Sequence, residues 1–201
     1  MIRSETMSDK FFSISIHEFE GKEDIFKKII SSFSCLSQDV EYFLKNTSVM
    51  SAKKRQTVSY LVFHEDTGEF VGYYTLAIKP ISILSEGMSN TLKKKLERVA
   101  IYNEKLGTYN AASYLIAQFG KNFSLSSENA IPGEKLLQIA EKTILEVQSS
   151  IGGIIEFLES EDVEKLLKFY GENGFVKFGE RMTEANAHSE SHKLHLMYKL
   201  I

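Results

Sequence analysis

The chain has 201 residues, 43% of them hydrophobic and 25% charged, with a net charge of −3. That size and balance suit one globular domain that buries most of its apolar surface without staples, and the charge excludes a general pull toward nucleic acid or anionic membrane. The single cysteine, Cys35, rules out an internal disulfide and fits a reducing, cytoplasmic setting, while no apolar run nears the ~20 residues of a membrane span.

Residues 1–10 are polar, lack the apolar stretch of a secretion signal and read as a flexible lead-in to one domain over 11–201. Alternation over 11–16 predicts a first strand. Ile25, Phe26, Ile29, Ile30 and Phe33 then recur at helical spacing, with Glu23 and Asp24 at the positive end of the dipole. Cys35 follows as a buried, inert thiol. Ser37 is placed to cap a second helix carrying Val40, Phe43 and Leu44. Residues 58–63 and 70–78 read as hairpin strands around the turn chemistry of 64–68, the second closed by Pro80. An insertion over 82–108 holds a helix with Leu92, Leu96 and Val99 on one stripe. Its Lys93, Lys94, Lys95 and Arg98 read ordinarily as a solvated face, or else as a cradle for an anionic partner.

Residues 111–119 form an apolar run bounded by Gly120, the pattern of a strand buried on both faces. A polar loop follows, and a long helix opens near Pro132 and Gly133 with Leu136, Leu137, Ala140, Ile144 and Val147 as its stripe. A strand over 153–158 leads to Ser160, a candidate cap with Glu161 and Asp162 in the first turn of the next helix. That helix carries Val163, Leu166, Leu167 and Tyr170 and stops at Gly171 or Gly174. Residues 175–178 and 194–200 complete the chain as strands. The order β-α-α-β-β-(α)-β-α-β-α-β-β predicts an α/β (α+β) fold. Its mixed central sheet has about six to seven strands, with helices on both faces.

Four segments resemble the GNAT N-acetyltransferase family. Residues 115–122 resemble its fourth strand, 132–137 the end of its pyrophosphate loop and the start of its third helix, and 151–159 its fifth strand. Residues 169–175, Phe-Tyr-Gly-Glu-Asn-Gly-Phe, resemble its tyrosine-to-glycine-phenylalanine signature. They cover roughly the second half of the chain, in the family's order, and resemble a divergent branch found in Gram-positive bacteria and their mobile elements. The phosphate loop departs from the pattern. Glu128-Asn129-Ala130-Ile131-Pro132-Gly133 keeps only the final glycine, and Val163 stands where the family often has asparagine.

The resemblance implies acetyl-CoA as co-substrate and transfer of its acetyl group to a primary amine. Phe119, Gly120, Lys121 and Asn122 would offer backbone groups to the pantetheine amides, with Gly120 permitting close approach and Lys121 adding charge. Asn129, Ala130, Ile131, Gly133 and Glu134 would hold the pyrophosphate where unpaired N–H groups and the helix dipole favour an anion. Asn173 falls within the signature, and Tyr170 would protonate the departing thiolate while strand amides near Phe119 hold the oxyanion. Read without the resemblance, Pro132-Gly133 is an ordinary helix start and Tyr170 an ordinary core tyrosine.

Glu156, Glu159 and Glu180 read as solvated or structural carboxylates near the acceptor end, so no general base stands out. His188, His192 and His195 have a spacing that resembles a metal-binding helix pair, but the polar stretch 184–191 reads as a mobile loop bordering the acceptor site, and no metal is expected. The acceptor amine is open. A toxin-type GNAT acetylating the amino group of charged tRNA would use Lys53, Lys54, Arg55 and the basic helix at 93–98 to approach phosphates. The third reading is a non-catalytic acyl-CoA-binding module, motivated by the degraded phosphate loop and opposed by Tyr170. A homodimer is compatible with all three, and no membrane partner is expected.

Overall fold

The computed structural model describes residues 10–126, 130–184 and 191–201. Among the described residues eight strands, β1 (Phe11–Ser15), β2 (Val58–His64), β3 (Phe70–Leu84), β4 (Ile101–Asn103), β5 (Thr108–Lys121), β6 (Ile155–Glu161), β7 (Val176–Met182) and β8 (Lys193–Leu200), are hydrogen-bonded in the order β1-β2-β3-β5-β6-β8-β7, with β4 attached to β5. The α/β class with a mixed sheet is therefore observed. One strand more than expected is present, the short β4 (Ile101–Asn103) inside the insertion at 82–108. The chain divides into two compact units. One takes the chain up to Thr75 together with Gln118–Ala140, and the other takes Leu76–Ala117 with Glu141–Ile201.

In the first unit β1 (Phe11–Ser15) pairs antiparallel with β2 (Val58–His64), Phe11 opposite His64 and Ser15 opposite Tyr60. Helix α1 (Glu23–Ile30) buries Phe26 and Ile30 as its periodicity requires. These two join Phe33, Leu44, Leu61, Phe63, Phe70 and Tyr73 in one core. The predicted second helix is broken into α2 (Gln38–Tyr42), a π-type turn over Phe43–Thr47, and α3 (Ser48–Lys53). Side chains compete with the backbone there: Ser48 Oγ donates to Leu44 O at 2.6 Å and Asn46 Nδ2 to Tyr42 O at 3.0 Å.

The second unit is built around Ile81, Ile83, Leu96, Tyr109, Ile155, Phe157 and Tyr198. Strand β3 (Phe70–Leu84) does not stop at Pro80 but runs through it. It has 15 residues against seven in β2, so Pro80 lies in the stretch that outruns β2, where a missing N–H breaks no ladder bond. Helix α4 (Asn90–Leu96) is capped by Ser89, whose Oγ accepts from Leu92 N at 3.2 Å. Strand β5 (Thr108–Lys121) is followed by α5 (Gly133–Ile151), whose apolar stripe is buried to Ile144 but leaves Val147 exposed. Strand β6 (Ile155–Glu161) extends past Ser160, so Ser160 is a strand residue rather than a cap. Val163 takes the cap position of α6 (Glu164–Glu172). Strands β7 (Val176–Met182) and β8 (Lys193–Leu200) pair antiparallel, and β8 also pairs antiparallel with β6. No helix of the described residues is long and apolar enough to cross a membrane.

Candidate active site

In the first unit the structure describes nearly all of the expected cofactor segment; Asn129 lies outside the described residues. Phe119, Gly120 and Lys121 end β5, and Asn122 follows. Gly120 is buried, and a Cβ on it would sit 2.6 Å from Val40 Cγ1 and 3.3 Å from Cys35 Sγ. The close approach this glycine permits is thus filled on its Cβ side by the chain's own α2 and the segment before it. Asn122 is also committed internally. Its backbone N–H donates to Val71 O (2.8 Å) and its Nδ2 to Phe70 O (2.9 Å). Its Oδ1 accepts from Ser34 N (3.2 Å), Ser124 N (3.1 Å) and Ser124 Oγ (2.8 Å). Its side chain therefore ties three segments together, and its polar atoms are spent on them rather than on a ligand. The Lys121 ammonium rides 5.7 Å from the Phe123 ring centroid.

Helix α5 opens where expected. Leu136 N donates to Pro132 O at 3.1 Å, which puts Pro132 at the cap position and Gly133 and Glu134 in the first turn, where N–H groups have no partner within the helix. Ala130 and Gly133 are half-buried and Glu134 is exposed, whereas Ile131, expected among the pyrophosphate contacts, is fully buried and offers no surface to a ligand. The Glu134 carboxylate accepts from Gln138 Nε2 at 3.4 Å, and it occupies the same positive helix end that an anion would seek.

In the second unit the parallel ladder between β5 and β6 is short. It pairs Tyr114–Ile116 with Glu156–Leu158 and goes no further. β5 runs on to Lys121, and β6 runs on to Glu161 paired with β8. The backbone of β6 past Leu158 thus keeps one edge without a strand among the described residues.

Tyr170 lies on α6, 8% exposed, with Phe169 and Phe175 packed edge-on at 5.1 and 5.9 Å. Burial, reinforced by the Glu161 carboxylate, pushes its hydroxyl well above the usual tyrosine range, so it stays protonated at neutral pH. Asn173 caps the end of the same helix, its Nδ2 donating to Phe169 O at 2.8 Å, so its amide serves the helix.

The three carboxylates near the acceptor end differ from one another. Glu159 is paired with Arg181, Oε1 accepting from Nε at 2.9 Å. Glu180 lies 2.5 Å from Lys177 Nζ, which holds its carboxyl below the usual range. Glu156 is neither solvated nor paired at hydrogen-bond distance. It is fully buried, and burial, with Glu141 adding repulsion, raises it to about 8. His188 lies outside the described residues. His192 pairs with Thr183, and His195 is buried with Nε2 2.8 Å from Asp162 Oδ1. Sequence reasoning missed the Asp162–His195 pair and the burial of Glu156, because both arise from strand pairing across a long separation.

No family model matches the chain, and no curated protein matches it in sequence. Solved structures do. A tyrosine-to-phenylalanine mutant of KacT matches with a TM-score of 0.65 at 20% identity, covering 95% of each chain. AtaT complexed with acetyl-methionyl-tRNAfMet matches with a TM-score of 0.55 at 17% identity, over 83% of this chain and 85% of that one. AtaTR bound with acetyl-CoA matches with a TM-score of 0.55 at 16% identity, over 94% of each. The chain has the fold of the GNAT acetyltransferases, as the four segments implied.

Proposed function

We propose that this protein is an acetyl-CoA-dependent N-acetyltransferase acting on a primary amine. The observation that carries the reading is the three-residue β5–β6 ladder, past which β6 keeps an edge without a strand among the described residues. Such an open strand edge leaves backbone N–H and C=O groups to pair with pantetheine amides without special side chains. The start of α5 at Gly133 and Glu134 supplies N–H groups for the pyrophosphate, beside the half-buried Ala130. Because Asn122 and Asn173 are used inside the protein, they act as supports of this arrangement. The solved relative bound with acetyl-CoA points the same way.

The chemistry follows from Tyr170. The amine nitrogen attacks the thioester carbonyl, a C–N bond forms, and the C–S bond breaks. The thiolate takes the phenol proton, and the proton lost by the amine passes to water. Burial keeps the Tyr170 phenol protonated but makes it a weaker acid, so the role rests on its place in the helix and signature, and a bound thiolate must draw the proton. Acetyl-CoA should raise the melting temperature. Tyr170→Phe should lower turnover on the order of 10²-fold while leaving acetyl-CoA affinity close to wild type. Release of free thiol from acetyl-CoA serves as the assay while the acceptor is unknown. Full turnover in the Phe variant, or no binding by calorimetry, overturns the mechanism.

A second reading specifies the amine as that of a charged tRNA. It is favoured by the AtaT complex with acetyl-methionyl-tRNAfMet and by the exposed Lys94, Lys95 and Arg98 on and just after α4. Lys54 and Arg55 after α3 are exposed as well, whereas Lys53 is engaged by Glu23 at 3.0 Å. The setting we propose is the cytoplasm, where acetyl-CoA and charged tRNA meet.

A further inference from the structure

Glu156 is a group that the proposed reaction leaves unexplained. It is fully buried on β6, and neither carboxyl oxygen makes a hydrogen bond among the described residues. A buried polar group in that state calls for an explanation. Lys199 stands directly opposite it in the β6–β8 ladder. The Lys199 ammonium is 3.7 Å from Glu156 Oε1 but 2.5 Å from Glu141 Oε1 on α5, so carboxyls from two elements share it unequally.

The same ammonium lies 5.5 Å from the centroid of the Phe175 ring, within range of a cation–π attraction. Its stem reaches that place past Gly174, where a Cβ would come within 3.6 Å of Lys199 Cδ and Cε. Phe175 in turn stands edge-on to Tyr170, with 71° between the rings, and its N–H donates to Tyr170 O at 3.0 Å. A line of direct contacts therefore runs from the two carboxyls through Lys199 and Phe175 to the tyrosine ring.

We propose that Lys199 is a positioning residue for Tyr170, anchored by Glu141 and Glu156 and holding the Phe175 ring against the tyrosine. The proposal rests on the reading of Tyr170 as the general acid. The arrangement explains the buried carboxyl. With Glu156 protonated, the cluster holds one carboxylate, one ammonium and one carboxylic acid, and its net charge is zero, which is what an enclosed site tolerates. A fixed ring wall matters because a small misplacement of an acid from its leaving group is costly in rate.

Lys199→Met keeps the aliphatic stem and removes the charge. The expected result is a kcat about tenfold lower with the KM for acetyl-CoA changed by less than about twofold, and recovery in Lys199→Arg. The double variant Lys199→Met/Glu141→Gln restores neutrality, so it should regain any lost melting temperature but not the lost kcat. NMR of Cζ-labelled tyrosine provides a readout independent of turnover. The Tyr170 signal, assigned by its absence in Tyr170→Phe, should shift in both Met variants and return in Lys199→Arg. An unmoved signal, or a kcat restored by neutrality alone, overturns the proposal. Should Tyr170→Phe keep full turnover, the acid reading fails separately, and the signal alone then decides whether Lys199 holds the ring.

Discussion

At the scale of single residues, the chain conceals its most consequential polar groups. Glu156 ionises near pH 4.5 in an unfolded chain and near about 8 in the folded one. Below the lower value both states carry the proton and nothing is lost. Between the two, the folded state holds a proton that the unfolded state has released, so stability falls as pH rises; above about 8 both are ionised and the loss is complete. The variant Glu156→Gln has no such proton. Its melting temperature relative to wild type should therefore climb from about pH 5 to about pH 8 and then level off. A difference that stays flat over that range removes the case for a buried carboxylic acid. None of this is legible in the sequence, where a glutamate within Ile154-Ile155-Glu156-Phe157-Leu158 reads as the polar member of a strand. Its burial depends on Lys199, 43 residues later, and on pairing that no local pattern encodes. Asn122 likewise reads as a ligand contact, whereas its partners Ser34 and Phe70 lie 88 and 52 residues away. Tyr170, Gly174 and Phe175 are legible because a helix and its terminal turn are written in consecutive residues.

At the scale of elements, helices with an apolar stripe read well from the sequence, and their ends less well. Helix α6 begins without a side-chain cap, since Val163 holds the cap position with extended backbone angles, φ −118° and ψ 118°. The family resemblance places an asparagine there, and asparagine at such a position accepts from the next turn's N–H groups. Val163→Asn should stabilise the protein by about 1 kcal/mol, seen as a rise of roughly 2–4 °C in melting temperature. No rise, or a fall, would mean that the Val163 side chain contributes packing its 45% exposure does not suggest. Strand lengths are the weaker part of the reading. Residue pattern ends β3 at Pro80 and β5 at Phe119, yet both run on, because a proline on an unpartnered edge and a glycine beneath a helix do not interrupt a ladder. Ser160 looks like a cap by residue type alone, but β6 keeps pairing with β8 through Glu161, and the pairing decides.

At the scale of the molecule, a net charge of −3 hides a local excess of cations on the insertion. If charged tRNA is the acceptor, its affinity should fall on the order of tenfold or more between about 50 and 200 mM salt. Reversing Lys94, Lys95 and Arg98 to glutamate should flatten that slope and relieve growth inhibition on overexpression. Harmless expression of the wild type, with no acetylation of charged tRNA, returns the acceptor to the wider class of amines. The two compact units are not foreseeable from the sequence either, because the chain passes between them inside β3, β5 and α5 and leaves no linker to read. That interleaving bears on synthesis. As the chain leaves the ribosome, the first unit stays incomplete after Thr75 has emerged, since Gln118–Ala140 must still be made. Until then the carbonyl of Phe70 waits for Asn122, Phe33 for Gly120, and Gly72 for the Leu136 side chain that packs on it. From Thr75 until Ala140 is made the first unit is therefore unfinished, an interval in which chaperones have something to hold.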